Sequence, residues 1–381
     1  MKKVLFISHD ASRTGAPILL LNFLRWFKEN AGIPFEILLG RGGELEKAFS
    51  ALAPTSVFYK DGQGPEIIHK HNILRRITRR LGINNPASRI RRKLASSKIG
   101  LIYSNTSTNG NILQALGFLN CPVISHIHEL SYSLDSRSDK FDYVKERTTH
   151  FIACSQVVKD NLVSSYSISP STISVVHEFL VSASIPEAKV LSSQCLLRRE
   201  LKLPDGSFIV GSAGTRHWRK GPDLFIQLAQ RVRSKLDAPI HFVWLGGGAK
   251  SDDHVHFLET KSNPLDYFAG FDLFALTSRE DPFPLVCLEV ASLGKPILCF
   301  DKAGGEPEFV EKDCGFVVPS LDVDTMAERV IELYQNRELL CQLGQNASQK
   351  VRTRHKLEDN APKILEIIKK YAGGFKIGRD R

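Results

Sequence analysis

Short apolar runs alternate with amphipathic stretches along nearly the whole chain. In one amphipathic stretch, residues 17–30, the apolar side chains Leu20, Leu21, Phe23, Leu24 and Phe27 fit one helical face. This alternation is typical of parallel β-sheets covered by helices, so it predicts an α/β fold. The predicted strands are residues 4–8, 35–39, 56–59, 101–104, 123–126 and 150–154, followed by 208–213, 241–245, 273–276, 296–300 and 315–318.

The predicted strands fall into two series separated by an irregular segment. Residues 181–194 are rich in Ser, Ala and Pro and show no regular period, which is typical of a linker. A chain of 381 residues also exceeds the size at which one hydrophobic core keeps growing. We therefore predict an N-terminal domain (1–180), a linker (181–200), a C-terminal domain (201–355) and a final helix (356–381) that could cross back to the first domain.

The composition is that of an ordinary globular protein, with 42% hydrophobic and 24% charged residues. No apolar run approaches the roughly 18 to 20 residues that a membrane-spanning helix needs. Residues 4–8 are followed by polar His9 and Asp10, so they indicate a buried strand rather than a signal peptide. These features favour a soluble protein in the cytoplasm. The seven cysteines form no C-x-x-C pair, so we expect neither disulfides nor zinc.

The net charge of +10 is concentrated between Ile67 and His128, where no acidic residue occurs. A solvated face, an anionic membrane surface and an acidic acceptor are all compatible with such a cluster. Nucleic acid is not expected, because no aromatic residues are interleaved with the basic run to stack on bases. Apolar residues at helical spacing predict a helix with an apolar edge bordered by cations. The apolar residues are Ile73, Leu74, Ile77 and Leu81, and the cations are Arg75, Arg76, Arg79 and Arg80.

Two loops that follow predicted strands open helices and carry candidate binding groups. The loop after the first strand contains Gly15, and it lacks the G-x-G-x-x-G pattern of an ordinary nicotinamide site. The loop of residues 211–223 places Arg216, Arg219 and Lys220 directly before a helix. Backbone N–H groups, the helix dipole and cationic side chains together suit a diphosphate.

An acidic segment, residues 278–292, gives the strongest signal in the second series. Glu280 and Asp281 precede a turn of Pro282, Phe283 and Pro284, and the helix that follows from Leu285 carries Glu289. Carboxylates can accept hydrogen bonds from sugar hydroxyls, while the N–H groups at the helix start can meet a charged donor. The alternative is that the first two acids only cap the helix and that Glu289 lies at the surface.

The chain resembles the GT-B glycosyltransferases, specifically the retaining group called glycosyltransferase family 4 or glycosyl transferases group 1. The resemblance covers nearly the full length, and the Lys-Gly loop and the acidic segment are its most specific parts. It rests on the Gly15 loop and on residues 125–130, 219–221, 244–248, 268–274, 280–289 and 303–308. It implies two doubly wound, Rossmann-like domains that face a central cleft, with the acceptor in the N-terminal domain and the nucleotide sugar in the C-terminal domain.

The resemblance also implies roles for the acidic residues. The family motif has two glutamates with seven residues between them, and that spacing here joins Asp281 to Glu289, with Glu280 displaced by one position. Either Asp281 replaces the first glutamate, or a bulge lets Glu280 occupy its site. The first acid would contact the donor sugar and Glu289 the ribose hydroxyls. Phe283, Pro284 and Leu285 would lie at the donor.

For the basic groups, Lys220 matches the phosphate-binding lysine of the family, but Thr215 occupies the position of its arginine. Arg216 or Arg219 must then take that role, and we favour Arg216. His128 matches the histidine after an N-terminal strand better than His126, because a carboxylate follows it directly.

These assignments imply a retaining, hexosyltransferase-type enzyme that moves a sugar from a nucleotide diphosphate to a glycan or lipid-linked glycan, as in cell-surface polysaccharide synthesis. Cations and helix N–H groups would stabilise the leaving diphosphate, so we expect no metal and no cofactor. Many enzymes of this kind work at the inner membrane face, which favours peripheral association through the arginine helix. The alternatives are a GT-B isomerase or phosphorylase, and a non-catalytic basic protein that binds a surface.

Overall fold

The computed structural model describes residues 2–59, 85–136, 138–181, 196–248 and 254–373. The predicted arginine helix, with Arg75, Arg76, Arg79 and Arg80, and most of the predicted linker lie outside these residues. The chain divides into two compact units. The first unit comprises Met1–Cys154, Val158–Val176 and Asn360–Arg381, and the second unit comprises Ser155–Val157 and His177–Asp359.

The first unit is built on a parallel sheet in which the described part of the chain supplies seven strands. The strands are β1 Lys3–Ser8, β2 Phe35–Leu39, β3 Thr55–Val57, β4 Ile99–Asn105, β5 Val123–Ile127, β6 His150–Ala153 and β7 Ile173–Val175. Their spatial order is β3-β2-β1-β4-β5-β6-β7. The direction of winding therefore reverses between β1 and β4, and α/β proteins bind ligands beside such a reversal.

The second unit repeats this design with a parallel sheet of six strands among its described residues. The strands are β8 Phe208–Ala213, β9 Ile240–Leu245, β10 Val255–Leu258, β11 Leu273–Leu276, β12 Ile297–Phe300 and β13 Gly315–Val318. Their order is β10-β9-β8-β11-β12-β13, so the winding reverses between β8 and β11. The loops after these two strands are the ones that carry the predicted basic and acidic motifs.

Helices connect most of the strands in both units. In chain order they are α1 Gly15–Asn30, α2 Glu46–Ser50, α3 Pro86–Leu94, α4 Gly110–Ala115, α5 Ser131–Asp135, α6 Ser138–Arg147, α7 Gln156–Tyr166, α8 Pro222–Lys235, α9 Pro264–Phe268, α10 Leu285–Ser292, α11 Glu306–Val310, α12 Val323–Gln335, α13 Arg337–Arg354 and α14 Leu357–Tyr371. No described helix has both the length and the apolar character needed to cross a membrane.

Aromatic side chains fill the core of each unit. In the first unit, the ring of Phe6 on β1 packs against Phe27 of α1 at 5.1 Å and Phe35 of β2 at 5.6 Å between centroids. In the second unit, Phe225 of α8 packs on Trp244 of β9 at 5.5 Å. Such contacts hold α1 and α8 on their sheets, so the loop before each of these helices ends at a fixed position.

The structure confirms the α/β fold class. All eleven predicted strands are present, with ends that differ by up to two residues, and α1 covers the predicted helix of residues 17–30. Two strands, Ile173–Val175 and Val255–Leu258, were not predicted. Both lie at the edge of a sheet and both contain a polar residue, Ser174 or His256, so neither forms a continuous apolar run.

Candidate functional site

The loop after β8 brings Lys220 to the carboxyl end of the sheet. Residues Trp218–Lys220 form one turn of 3₁₀-helix, and the Nδ1 atom of His217 accepts a hydrogen bond from the Arg219 N–H at 3.2 Å. Gly221 then takes a left-handed conformation, with φ of +69°, before α8 begins. A β-carbon at Gly214 would lie 3.5 Å from the aliphatic carbons of Lys220, so this side chain runs beside Gly214.

Gly221 ties this loop to the end of β11. A β-carbon at Gly221 would lie 2.0 Å from the carbonyl oxygen of Thr277, so the two backbones approach more closely than a side chain allows. The Thr277 hydroxyl donates a hydrogen bond to the Gly221 carbonyl at 2.9 Å, and the Arg279 N–H donates to the Arg219 carbonyl at 2.8 Å. The basic and acidic loops therefore form one connected structure.

Asp281 is the residue on which the cations of the first loop converge. Its side chain is buried, and its carboxylate forms an ion pair with the Lys220 ammonium group. The Ser278 hydroxyl donates to the same carboxylate oxygen at 3.2 Å, and a guanidinium nitrogen of Arg219 lies 3.8 Å from the other oxygen. That guanidinium also donates to the Glu280 carbonyl at 2.8 Å. The pairing neutralises a carboxylate that would be costly to bury alone.

The two candidate first acids are in different positions. Asp281 meets Lys220 through its side chain, whereas the contact of Glu280 with Arg219 is made by its backbone carbonyl. The structure thus brings Asp281, at the family spacing from Glu289, to the predicted phosphate-binding lysine. Among the described residues, the acid that pairs with Lys220 within 4.0 Å is Asp281.

Arg216 and Arg219 also differ in position. The guanidinium of Arg216 lies over the ring of Phe257 on β10, 4.2 Å from its centroid, and the residue is exposed. Arg219 instead lies beside Asp281 and Lys220. The sequence favoured Arg216, but the structure brings Arg219 to the basic and acidic cluster.

A further ion pair in this region was not predicted from the sequence. Arg279 donates two hydrogen bonds to the carboxylate of Asp223, at 2.8 and 2.5 Å, and its guanidinium lies over the Trp218 ring at 5.1 Å. The hydrogen bonds from Arg279 lower the pKa of Asp223 below its usual value. The pair clamps the end of the basic loop to the start of the acidic one. Its partners are far apart in sequence, so no local pattern indicates them.

The turn of Phe283 and Pro284 leads into α10, which starts without a side-chain cap. Phe283 is buried, and its ring packs on those of His177 and His355 at 5.3 and 5.5 Å. The backbone N–H groups that open α10 at Leu285 are therefore held in place by an anchored turn.

Glu289 lies on α10, one turn beyond its start. Burial raises the pKa of its carboxyl from 4.5 to about 7, although part of the side chain surface is exposed. No described residue forms an ion pair with it within 4.0 Å. Keeping a carboxyl in this environment costs stability without an evident structural return, which is typical of a functional group.

The first unit has a polar cluster of its own around Gly15 and His128. His128 follows β5, and its Nε2 atom lies 3.0 Å from the Oδ1 atom of Asn105 at the end of β4. The side-chain amide nitrogen of Asn105 donates to the carbonyl of Ala16 at 2.9 Å, beside Gly15, the first residue of α1.

His126 occupies a different environment. It is buried, and its Nδ1 atom lies 2.7 Å from the Tyr103 hydroxyl. Burial lowers the pKa of His126 well below its usual value. Of the two histidines, His128 is the more accessible.

Two family models match the chain. The model of Glycosyltransferase Family 4 matches residues 15–180, and that of Glycosyl transferases group 1 matches residues 194–350. Each match falls largely within one of the two units. The Gly15 loop and residues 125–130 thus lie in the first match, and the basic and acidic motifs lie in the second.

Curated relatives support the same grouping, and a solved structure shares the fold. The alpha-galactosylglucosyldiacylglycerol synthase of Streptococcus pneumoniae is 32% identical over 32% of this chain and 41% of its own length. The D-inositol 3-phosphate glycosyltransferase of Salinispora arenicola is 25% identical over 54% of this chain and 51% of its own length. The chain therefore spans about half the length of these relatives or less. The complex of Anabaena Alr3699/HepE with UDP-glucose is similar in fold, with a TM-score of 0.77, 18% identity, and 97% of this chain and 100% of that one covered.

A substitution at Gly221 tests whether the two loops depend on close backbone approach. Gly206 also has a positive φ, +80°, but nothing lies within 4 Å of a β-carbon there, so Gly206→Ala is the matched control. We expect the control to lose about 1–2 kcal/mol of unfolding free energy from backbone strain alone. Gly221→Ala should lose about 2 kcal/mol more, because its β-carbon overlaps the Thr277 carbonyl. Urea denaturation measures both, and equal losses would contradict the proposed contact.

The environment of Glu289 predicts a pH-dependent stability difference. Below pH 4.5 the carboxyl is protonated in both the folded and unfolded states, so Glu289→Gln and the wild type should be about equally stable. As pH rises toward 7, only the unfolded state releases its proton, so the wild type should lose stability relative to the variant. We expect the variant to be more stable by about 1–2 kcal/mol at pH 8, allowing for partial exposure. A constant difference between pH 4 and pH 8 would contradict this.

Proposed function

The chain belongs to the GT-B glycosyltransferases of family 4 and group 1, and we propose that it transfers a hexosyl group from a nucleotide diphosphate sugar with retention of anomeric configuration. The acceptor we propose is a glycan or a lipid-linked glycan in cell-surface polysaccharide synthesis. The observation that carries the proposal is the pairing of Lys220 with Asp281 at the reversal between β8 and β11. It joins a group for the leaving phosphate to a group for the sugar.

The reaction places its largest demand on the leaving group. As the bond to the sugar breaks, negative charge develops on the diphosphate, and preorganised positive groups stabilise it most effectively. Lys220 and Arg219 supply two such charges, and the backbone N–H groups at Leu285 supply neutral donors. Because both loops are held by hydrogen bonds before any ligand arrives, little reorganisation is needed.

Three further groups bind the donor in this proposal. The carboxylate of Asp281 accepts a hydrogen bond from a sugar hydroxyl, and Glu289 accepts hydrogen bonds from the ribose. His128, next to the Gly15 loop in the first unit, donates or accepts a hydrogen bond at the sugar, as the family resemblance implies. Arg216 has no role in this arrangement unless it leaves the Phe257 ring.

The solved structures and curated relatives similar to this chain indicate which donor to test first. Solved structures of Alr3699/HepE contain UDP and UDP-glucose, so a UDP-sugar is the first probe for this chain. One relative is named as the synthase of a diacylglycerol glycolipid, which agrees with a lipid-linked acceptor. We propose that no metal or cofactor takes part, because Lys220 and Arg219 supply the positive charge, and a transfer assay in excess chelator tests this.

Separate substitutions of the two candidate first acids, Asp281 and Glu280, test the proposed site. Asp281→Asn keeps the shape but removes the charge that orients Lys220, so we expect kcat/KM to fall about 100-fold or more. Glu280→Gln leaves the backbone contact with Arg219 in place and keeps the shape of the side chain, so it should change kcat/KM by less than about fivefold, on the scale of one hydrogen bond. Thermal unfolding checks that both variants fold. If Glu280→Gln lowers kcat/KM more than Asp281→Asn does, then Glu280 is the acid of the site. If neither variant changes kcat/KM, the proposed site is refuted.

We also propose that the protein associates peripherally with an anionic membrane surface. Basic residues near such a surface contribute about 1 kcal/mol each, and the described helix α3 adds exposed Arg91, Arg92 and Lys93 to the same basic stretch. Binding should therefore weaken with added salt.

Co-sedimentation with vesicles tests this association. In the test variant, four cations of the basic stretch are changed to Ser, namely Arg75, Arg76, Arg79 and Arg80. The control removes four exposed cations of the second unit, Arg231, Lys235, Lys312 and Arg352, so that net charge falls equally. We expect the first set alone to abolish binding to anionic vesicles. Equal effects of both sets, or no binding at low salt, would contradict the proposal.

A further inference from the structure

Glu306 is a buried carboxyl group for which the assignments above provide no role. It is the first residue of α11, it is 2% exposed, and neither carboxylate oxygen has a hydrogen-bond partner among the described residues. One of these oxygens would lie 3.0 Å from a β-carbon at Gly304. Gly304 in turn forms a β-bridge with Asp281, and the Asp281 N–H donates to the Ala303 carbonyl at 2.7 Å. Glu306 therefore lies directly behind the acid that binds Lys220.

The groups around Glu306 do not compensate a negative charge there. Asp281 is the largest source of electrostatic repulsion, and Lys220, whose ammonium group is paired with Asp281, offsets that repulsion only partly. The nearby thiols of Cys287 and Cys299 are buried, and burial raises their pKa values well above the usual range, so they are neutral. No described cation lies within 4.0 Å of Glu306.

The neighbouring acid Glu308 provides a contrast. Its carboxylate accepts hydrogen bonds from the N–H groups of Gln156 and Val157, both at 2.9 Å, and lies 2.8 Å from Nε2 of His177. These contacts lower its pKa below the usual value, despite its partial burial. Two acids only two residues apart thus occupy opposite environments, one built for a charge and the other not.

An ionised carboxylate without a positive partner is energetically unfavourable in such a buried site. Taking a charge out of water without compensation costs several kcal/mol, and a carboxyl group avoids this cost by keeping its proton. Burial, followed by repulsion from Asp281, raises the pKa of Glu306 well above its usual value, and the positive charge of Lys220 lowers the pKa by less. A protonated carboxyl can in addition donate a hydrogen bond, which a carboxylate cannot do.

We propose that Glu306 is a positioning residue that holds a proton in the working protein and supports Asp281 from behind, so that these two acids together present one negative charge rather than two to the ligand. The proposal rests on the proposed function only for the identity of that ligand, a nucleoside diphosphate. A diphosphate brings its own negative charge, and an ionised Glu306 beside Asp281 would repel it. Binding of the diphosphate therefore favours the protonated form of Glu306.

Infrared difference spectroscopy on the ligand-free protein tests the protonation directly. Subtracting the spectrum of Glu306→Gln from that of the wild type at neutral pH should leave the carbonyl band of a protonated carboxylic acid. The same subtraction with Glu308→Gln, the matched control, should leave carboxylate bands instead. A carboxylate signal from Glu306 would overturn the proposal, and this readout needs neither a ligand nor activity.

Calorimetric titration with UDP tests the functional consequence. Glu306→Gln mimics the neutral acid, so it should bind UDP within about threefold of the wild type at pH 7. Glu306→Ala removes the support behind Asp281, so it should bind UDP roughly tenfold more weakly than the wild type. This change equals about 1.4 kcal/mol of binding free energy. The result that would overturn the proposal is a Gln variant that binds as weakly as the Ala variant.

The two tests separate this proposal from the proposed function. If UDP binds to none of the proteins while the protonated-acid band is present, the choice of nucleotide is wrong and the proton on Glu306 stands. If UDP binds but the band is absent, the donor site stands and the role of Glu306 is refuted.

Discussion

The rest of the candidate site depends on one electrostatic constraint, which is that the buried carboxylate of Asp281 needs a positive partner. Lys220 supplies it, and the loop that carries Lys220 can reach Asp281 only because Gly221 approaches the backbone of Thr277 at a distance no side chain would permit. A buried pair of this kind contributes little to stability by itself, since desolvation offsets much of the attraction. Its more important consequence is geometric, because it holds a cation and an anion at the end of the sheet before a ligand arrives.

Further contacts around this pair restrict the same two loops. The double hydrogen bond between Arg279 and Asp223 clamps the loops at their exposed side, while the bridge between Asp281 and Gly304 fixes the buried side. Glu289 and Glu306 are both held where charge is unfavourable, yet they differ in exposure. The partly exposed Glu289 can meet a ligand directly, whereas Glu306 acts through the residue in front of it. The site therefore combines groups that bind with groups that only set the charge.

The sequence was sufficient to predict the fold because buried parallel strands are continuous apolar runs that need no knowledge of their neighbours. The strand Phe208–Ala213 was predicted with both ends correct. The strand Val255–Leu258, which lies at a sheet edge and contains polar His256, was not predicted at all. The same limit applies to the site. Lys220 and the acidic segment follow strands directly and were predicted, but the choice between Arg216 and Arg219 depended on a 3₁₀ turn and on the Phe257 ring. The pair of Arg279 with Asp223 and the isolation of Glu306 arise from contacts between distant segments, for which one sequence gives no signal.

The most direct test of the account is hydrogen exchange of the backbone amides with and without a nucleotide diphosphate sugar. UDP-, GDP- and dTDP-sugars are each added at saturating concentration, and exchange is followed by mass spectrometry along the whole chain. The account predicts that at least one of them slows exchange in residues 214–221 and 278–289, since ligand binding suppresses local opening of the loops it contacts. Protection confined to other segments, or no protection by any sugar nucleotide, would contradict the assignment of the donor site to these two loops.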